Sequence, residues 1–167
     1  MRTVSLFIDL ILSNFIESAL AQVKANQFSV EMMEGKGCTA NVVMIIENML
    51  ICANAGDSRA VVGEQGRAIP LSTDHKPNLK KERERIYKAG STVNIEGRID
   101  GNLNLSRAIG DIAHKKNPKV KLEDQAITSF PDIKMYNISN KTDFVIIGCD
   151  GIWETKTSQQ IVDYVYI

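Results

Sequence analysis

Two aspartates, Asp57 and Asp150, each follow an apolar stretch, and each has a glycine beside it. Asp150 belongs to Asp143–Glu154, DFVIIGCDGIWE. There the run Phe144 to Ile147, with Cys149 just beyond Gly148, reads as a buried strand because β-branched side chains suit a pleated surface covered on both faces. Gly151 lets the backbone turn sharply behind the acid and lets a ligand come close. Two strand ends of one sheet would bring both carboxylates to one rim. Close carboxylates repel unless a cation lies between them, and all-oxygen ligation suits magnesium or manganese rather than zinc. Glu154, four residues beyond Asp150, is near enough to join directly or through water. Taken singly, each acid is an ordinary turn residue; their joint occurrence carries the reading.

Other spacings imitate chemistry. Gly56, Ser58 and Ala60 in GDSRA resemble a G-x-S-x-G nucleophile elbow, but that device needs a strand turning straight into a helix, and Val61 and Val62 continue as strand. The two histidines, His75 before Pro77 and His114 in a basic loop, offer no triad partner by position. Asp100, Asn102, Asn104 and Asp111 imitate a calcium loop, yet Leu105 stands where glycine is required and strands rather than helices flank it.

The elements that must position these acids are short. Thr39–Glu47 and Met49–Ala55 predict a tight hairpin, Ala60–Gly63 and Arg67–Leu71 a second pair turned at Glu64 to Gly66. Such a meander is not a βαβ series. Ser72–Asn78 is turn chemistry, with Asn78 placed to cap a helix over Leu79–Ala89 that ends at Gly90. Its stripe Leu79, Ile86, Ala89 would lie on the sheet, and Glu82 with Arg85 and Glu84 with Lys88 would pair on its surface. Interleaved glutamates cancel the field that a nucleic-acid helix needs. Short strands are expected over Ser91–Leu105, Ala126–Phe130 and Ile133–Tyr136, with a mobile surface insertion at 112–124. Thr157 and Gln160 form a capping box before Ile161, Val162 and Val165.

At the N-terminus, Val4, Ile8, Ile11, Phe15, Ala19 and Val23 share one helical face opposite Ser5, Asp9, Ser13 and Glu17. Asp9 and Glu17 argue against a secretory signal there. The chain's 167 residues fit one domain. Twenty basic residues against 20 acidic ones leave no global field to recruit nucleic acid or an anionic membrane, and no stretch reaches the roughly 20 apolar residues of a span. Cys38, Cys52 and Cys149 are an odd set without C-x-x-C spacing, which points to a reducing, intracellular compartment, cytoplasmic or nuclear.

Six blocks, GCTANVV (Gly37–Val43), ANAGDSRAVV (Ala53–Val62), LSTDHKP (Leu71–Pro77), ERIYKAG (Glu84–Gly90), LNLSRAIGD (Leu103–Asp111) and CDGIWE (Cys149–Glu154), resemble the type-2C, metal-dependent serine/threonine protein phosphatases in order and approximate spacing. The resemblance implies an α+β fold, an antiparallel β-sandwich flanked by helices with metals at one end. It also implies hydrolysis of phosphoserine or phosphothreonine in proteins by a water held on two Mg²⁺ or Mn²⁺ ions. By position, Asp150 matches an aspartate of the metal pair, Asp57 a ligand of an additional, weaker metal position shared with Asp150, and Glu154 an acid where aspartate is commoner. Arg59, Arg107, Gly110 and Asp111 match motif positions without an assigned role, and Trp153 packs around the acidic turn.

The family's DGHGG block, with its histidine general acid, the phosphate-gripping arginine and the late Asp-Asn block do not occur in this sequence. The expectation is therefore a single partial phosphatase domain over 1–167, truncated at both ends, with no catalytic general acid and little activity by itself. Its partner would be a phosphoprotein, without nucleic acid or membrane, and the chain a monomer. A pseudophosphatase scaffold that binds signalling proteins is the alternative, and a metal-binding domain without phosphate chemistry a third reading.

Overall fold

A computed structural model describes residues 35–167. The helix expected over Val4–Val23 and most of the loop from Gln27 to Gly37 lie outside these residues. β1 (Gly37–Cys38) is followed by β2 (Ala40–Ile46) and β3 (Met49–Ala55), paired in register from Ala40↔Ala55 to Ile46↔Met49. This leaves Glu47 and Asn48 as the turn, and Glu47 takes the left-handed φ of 52° that a two-residue hairpin needs. β4 (Arg59–Glu64) and β5 (Arg67–Pro70) repeat the device with Gln65 and Gly66 at φ 47° and 77°. Both hairpins stand where the residue pattern predicts them.

Helix α1 (Lys80–Lys88) follows, then β6 (Ile109–Gly110), which pairs with β1, and β7 (Asp132–Asn137) and β8 (Thr142–Gly148). Helices α2 (Asp150–Trp153) and α3 (Ser158–Val165) complete the described chain. Two antiparallel three-stranded sheets result, ordered β2-β3-β7 and β5-β4-β8. Alternate side chains of all six strands meet between them: Leu50, Cys52, Ala60, Val62 and Leu71 are buried there, with Val43, Ile69, Tyr136 and Val145 against them. The opposite face of the second sheet is covered by Trp153 and by Ile161 and Val162 of α3, packed on Val61, Ala68, Phe144 and Ile146. Each such buried aliphatic contributes about 1.5–3 kcal/mol. The fold is α+β, as expected.

Several local expectations need correction. β8 is covered on both faces, at Val145 by the first sheet and at Phe144 and Ile146 by Trp153 and α3, but as the edge of its sheet it is only half-buried: Ile147 stays 50% exposed and Cys149 is exposed as well. The cap of α1 is Leu79 rather than Asn78, and no side chain bonds there. Ile86 packs on Ile99, Ala108 and Ile127 rather than on a sheet, and Leu79 faces solvent. Ser91–Leu105 forms no ladder; only the bridges Val93↔Ile99 and Ile99↔Leu103 occur, between turns at Gly97 and at Asp100–Gly101. Ala126–Phe130 likewise spends its backbone bonds on Ser106 and Ala108 through the bridge Arg107↔Thr128. The alternation of apolar residues in these segments serves a loop-built core instead of a sheet. Apart from these corrections, segment 112–124 holds two short 3-10 turns, and Gln125 donates to the carbonyls of Asn117 and Val120.

The capping box is present: Thr157 accepts from the Gln160 N–H, and the Thr157 N–H donates to Gln160 Oε1 at 2.9 Å. Among the described residues no helix is long and apolar enough to cross a membrane.

Candidate metal centre

The chain crosses from the first sheet to the second through Gly56–Ser58, between β3 and β4. Glycine is required at its start. Gly56 has φ 125°, and a Cβ there would stand 2.4 Å from the Thr39 side chain. Asp57 follows, 4% exposed. β4 pairs with β8 from Arg59↔Gly148 onward, so Asp57, two residues before Arg59, and Asp150, two after Gly148, leave the ladder at the same end. Asp150 is exposed and opens α2, where the Gly151 N–H donates to its Oδ1 at 2.8 Å. The Glu154 N–H donates to the Asp150 carbonyl at 2.8 Å, one helical turn on, and its side chain is exposed.

A strap formed by 71–76 lies along this crossing and is bonded to it almost residue by residue. The Leu71 N–H donates to the Ala60 carbonyl and Ser72 Oγ accepts from the Ala60 N–H, both at 2.9 Å. Asn54 Nδ2 donates to the Thr73 and Gly56 carbonyls at 3.0 and 3.1 Å. Arg59 grips Asp74 with two bonds of 2.8 Å, reaches Ser158 Oγ at 3.0 Å and lies 5.2 Å from the Trp153 ring centre. His75 Nδ1 accepts from the Gly56 N–H at 3.1 Å, and the His75 N–H returns a bond to the Gly56 carbonyl at 3.0 Å. Last, the Lys76 ammonium donates to Asp57 Oδ2.

Because its Nδ1 is an acceptor, His75 carries its proton on Nε2 and donates to Asp132 Oδ2 at 3.2 Å. Burial lowers the His75 pKa, the Arg107 charge adds to this, and the Asp132 bond opposes it. Asp132 also accepts from Arg107 Nη1 at 2.9 Å, and Arg107 Nη2 meets Glu82 Oε1 at 2.6 Å. Burial alone would raise the Glu82 pKa. Bonds from Arg107 and Ser106 and the charge of Arg85 outweigh it and hold the acid at about 2. The pair Glu82–Arg85, expected on the surface, is therefore interior: Glu82 is 2% exposed. Sequence reasoning missed this network and Lys76; a charged residue inside a charged helix gives no periodic signal, and only the motif LSTDHKP hinted at the strap.

The imitation sites are turns. Asp100 Oδ1 accepts from the Thr92 N–H at 2.9 Å and from its hydroxyl at 3.2 Å, and Ser58 Oγ is 2.7 Å from the Thr39 hydroxyl.

The donor chemistry at the rim suits a hard cation: Asp57 already holds the ammonium of Lys76, and Asp150 and Glu154 add exposed carboxylates. The number of donors is small. Among the described residues no three acids, cysteines or histidines cluster as a ligand set.

The family model "Protein phosphatase 2C" matches residues 5–166. Protein phosphatase 2C homolog 3 of Schizosaccharomyces pombe is 45% identical over 159 residues, 95% of this chain and 37% of that protein. Human protein phosphatase 1G is 47% identical over 140 residues, 80% of this chain and 26% of that one. A phosphatase crystal structure from Toxoplasma gondii superposes with TM-score 0.65 at 35% identity, covering 71% of this chain and 37% of its own. The chain spans about a third of the length of the curated relatives it matches. With the model match running over nearly all of its residues, the chain belongs to the protein phosphatase 2C family.

Proposed function

We infer that these residues form part of a phosphatase that removes phosphate from phosphoserine or phosphothreonine in proteins with Mg²⁺ or Mn²⁺. The single observation that carries this is the β4–β8 register, which sends Asp57 and Asp150 out of one sheet at one end. Asp150 and Asp57 would hold the cation and Glu154 would support it. Such a cation, when bound, lowers the pKa of a water and stabilises charge on phosphoryl oxygen. The chain's own residues build the seat: Gly56 allows the crossing, the strap fixes the Asp57 side, and Trp153, donating to the Gly148 carbonyl at 2.7 Å, anchors the turn of Asp150.

Two or three carboxylates cannot offset the repulsion between two close divalent ions. The 167 residues by themselves would therefore bind metal and turn over little substrate. The test is Mn²⁺ binding beside phosphate release from a phosphothreonine peptide. Expected are Asp150-dependent binding and phosphate release near background; rapid release that persists with a chelator, or in Asp150→Asn, contradicts the reading. The scaffold alternative draws on the absence of a three-ligand cluster among the described residues. It predicts partner binding indifferent to Mn²⁺.

A further inference from the structure

Lys76 is not a surface lysine that happens to touch an acid. The three residues before it are each fastened to the crossing: Thr73 to Asn54, Asp74 to Arg59, His75 to Gly56. The carbonyl of Lys76 itself accepts from the Leu79 N–H at 3.1 Å. Its stem is thus delivered by a fixed backbone, and its ammonium meets a carboxylate that is 4% exposed. A charge so buried requires a counter-charge. Lys76 provides it.

We propose that Lys76 is a tethered competing cation: it neutralises Asp57, and a divalent ion binding between Asp57 and Asp150 would have to displace it from that carboxylate. This rests on the metal reading above and adds to it a residue that sets the affinity. In the exchange one ammonium, of single charge, leaves the carboxylate as a doubly charged ion arrives, and the carboxylate of Asp150 offsets the added charge. Its consequence is a site kept weak by construction, since each binding event must first break a charge-assisted hydrogen bond. The Lys76 side chain is 33% exposed, so the released ammonium has a path to water.

The experiment is a Mn²⁺ titration, followed by the electron paramagnetic resonance of the free ion, at fixed pH and ionic strength. It compares the unmodified chain with Lys76→Met, Lys76→Arg, Lys76→Met/Asp57→Asn and Asp150→Asn. Lys76→Met is expected to tighten Kd about tenfold, Lys76→Arg to stay near the original value, and the Asp57→Asn combination to lose the gain. An unchanged or weaker Kd in folded Lys76→Met overturns the proposal. Circular dichroism establishes folding; should Lys76→Met not fold, the ¹³Cε resonance of Lys76 in the unmodified chain decides. It must move as Mg²⁺ is added and stay still in Asp57→Asn, and no movement overturns the proposal. If Asp150→Asn binds Mn²⁺ as the unmodified chain does, the metal reading itself fails. If it binds more weakly while Lys76→Met gains nothing, only the competitor role fails.

Discussion

Arg59 stands directly opposite Gly148 in the antiparallel ladder between β4 and β8. That register ties two acids 93 residues apart in sequence to one end of one sheet, because each lies two residues outside the paired ends. A one-residue slip would turn every side chain of β8 to the other face and take Phe144 and Ile146 from beneath α3. Gly63 guards the register from the other side, since a Cβ there would lie 2.4 Å from the Phe144 ring.

Gly56→Ala is expected to destabilise the domain by about 2–3 kcal/mol, combining a backbone that L-residues avoid with a clash against Thr39. Gly151→Ala, with open space around it, is expected to stay within about 0.5 kcal/mol. Urea unfolding of both variants measures the contrast.

Glu82 gives stability a definite pH dependence. Its carboxyl is depressed from 4.5 to about 2, so its contribution is fully present above pH 4.5 and is lost as pH falls towards 2. The size is about 3 kcal/mol from that shift. Glu82→Gln would remove the Glu82 share of this window and leave Arg107 with Asp132 as its remaining acid, costing about 3 kcal/mol at neutral pH. Unfolding free energies from pH 2 to 7 check both statements.

His75 acts with the same sign in a higher window. Its folded pKa lies below 6.5, through burial first and the Arg107 charge second, so the neutral ring stabilises above 6.5 and the contribution fades as pH falls below it. Protonated Nδ1 can no longer accept from the Gly56 N–H. His75→Asn keeps an acceptor near that atom and is expected to be milder than His75→Ala, which leaves Gly56 unsatisfied at about 1–3 kcal/mol. Thermal melts at pH 7.5 rank the two.

At the rim, Glu154→Gln is expected to weaken Mn²⁺ binding by about threefold and Asp150→Asn by more than about tenfold, since in the proposed site Asp150 would bear directly on the ion and Glu154 would support it. Calorimetric titration orders them; a reversed order would move the ion towards α3.

The sheets were legible because both hairpins carry apolar strand residues on either side of turn residues, Asn48 in the first and Gly66 in the second, although the positive φ falls on Glu47 and Gln65 as well as Gly66. Asp57 and Asp150 were legible as acids after apolar strands. What escaped was decided by tertiary contact. That β8 is an edge depends on which strands flank β4, and that Glu82 is interior depends on Arg107, 25 residues away. The apolar residues of 91–105 and 126–130 look like strand residues, yet they close the core around Ile86 without a ladder. Lys76 gave no sign because its role lies in a partner 19 positions earlier.

The most direct test is a double-mutant cycle on Mn²⁺ affinity with Asp57→Asn, Asp150→Asn and both together. If the two acids share one ion, each single change weakens binding and the double change costs clearly less than the sum, a coupling above about 0.5 kcal/mol. Strictly additive losses, or an Asp57 variant that binds as the unmodified chain does, would place the ion elsewhere and contradict the shared rim.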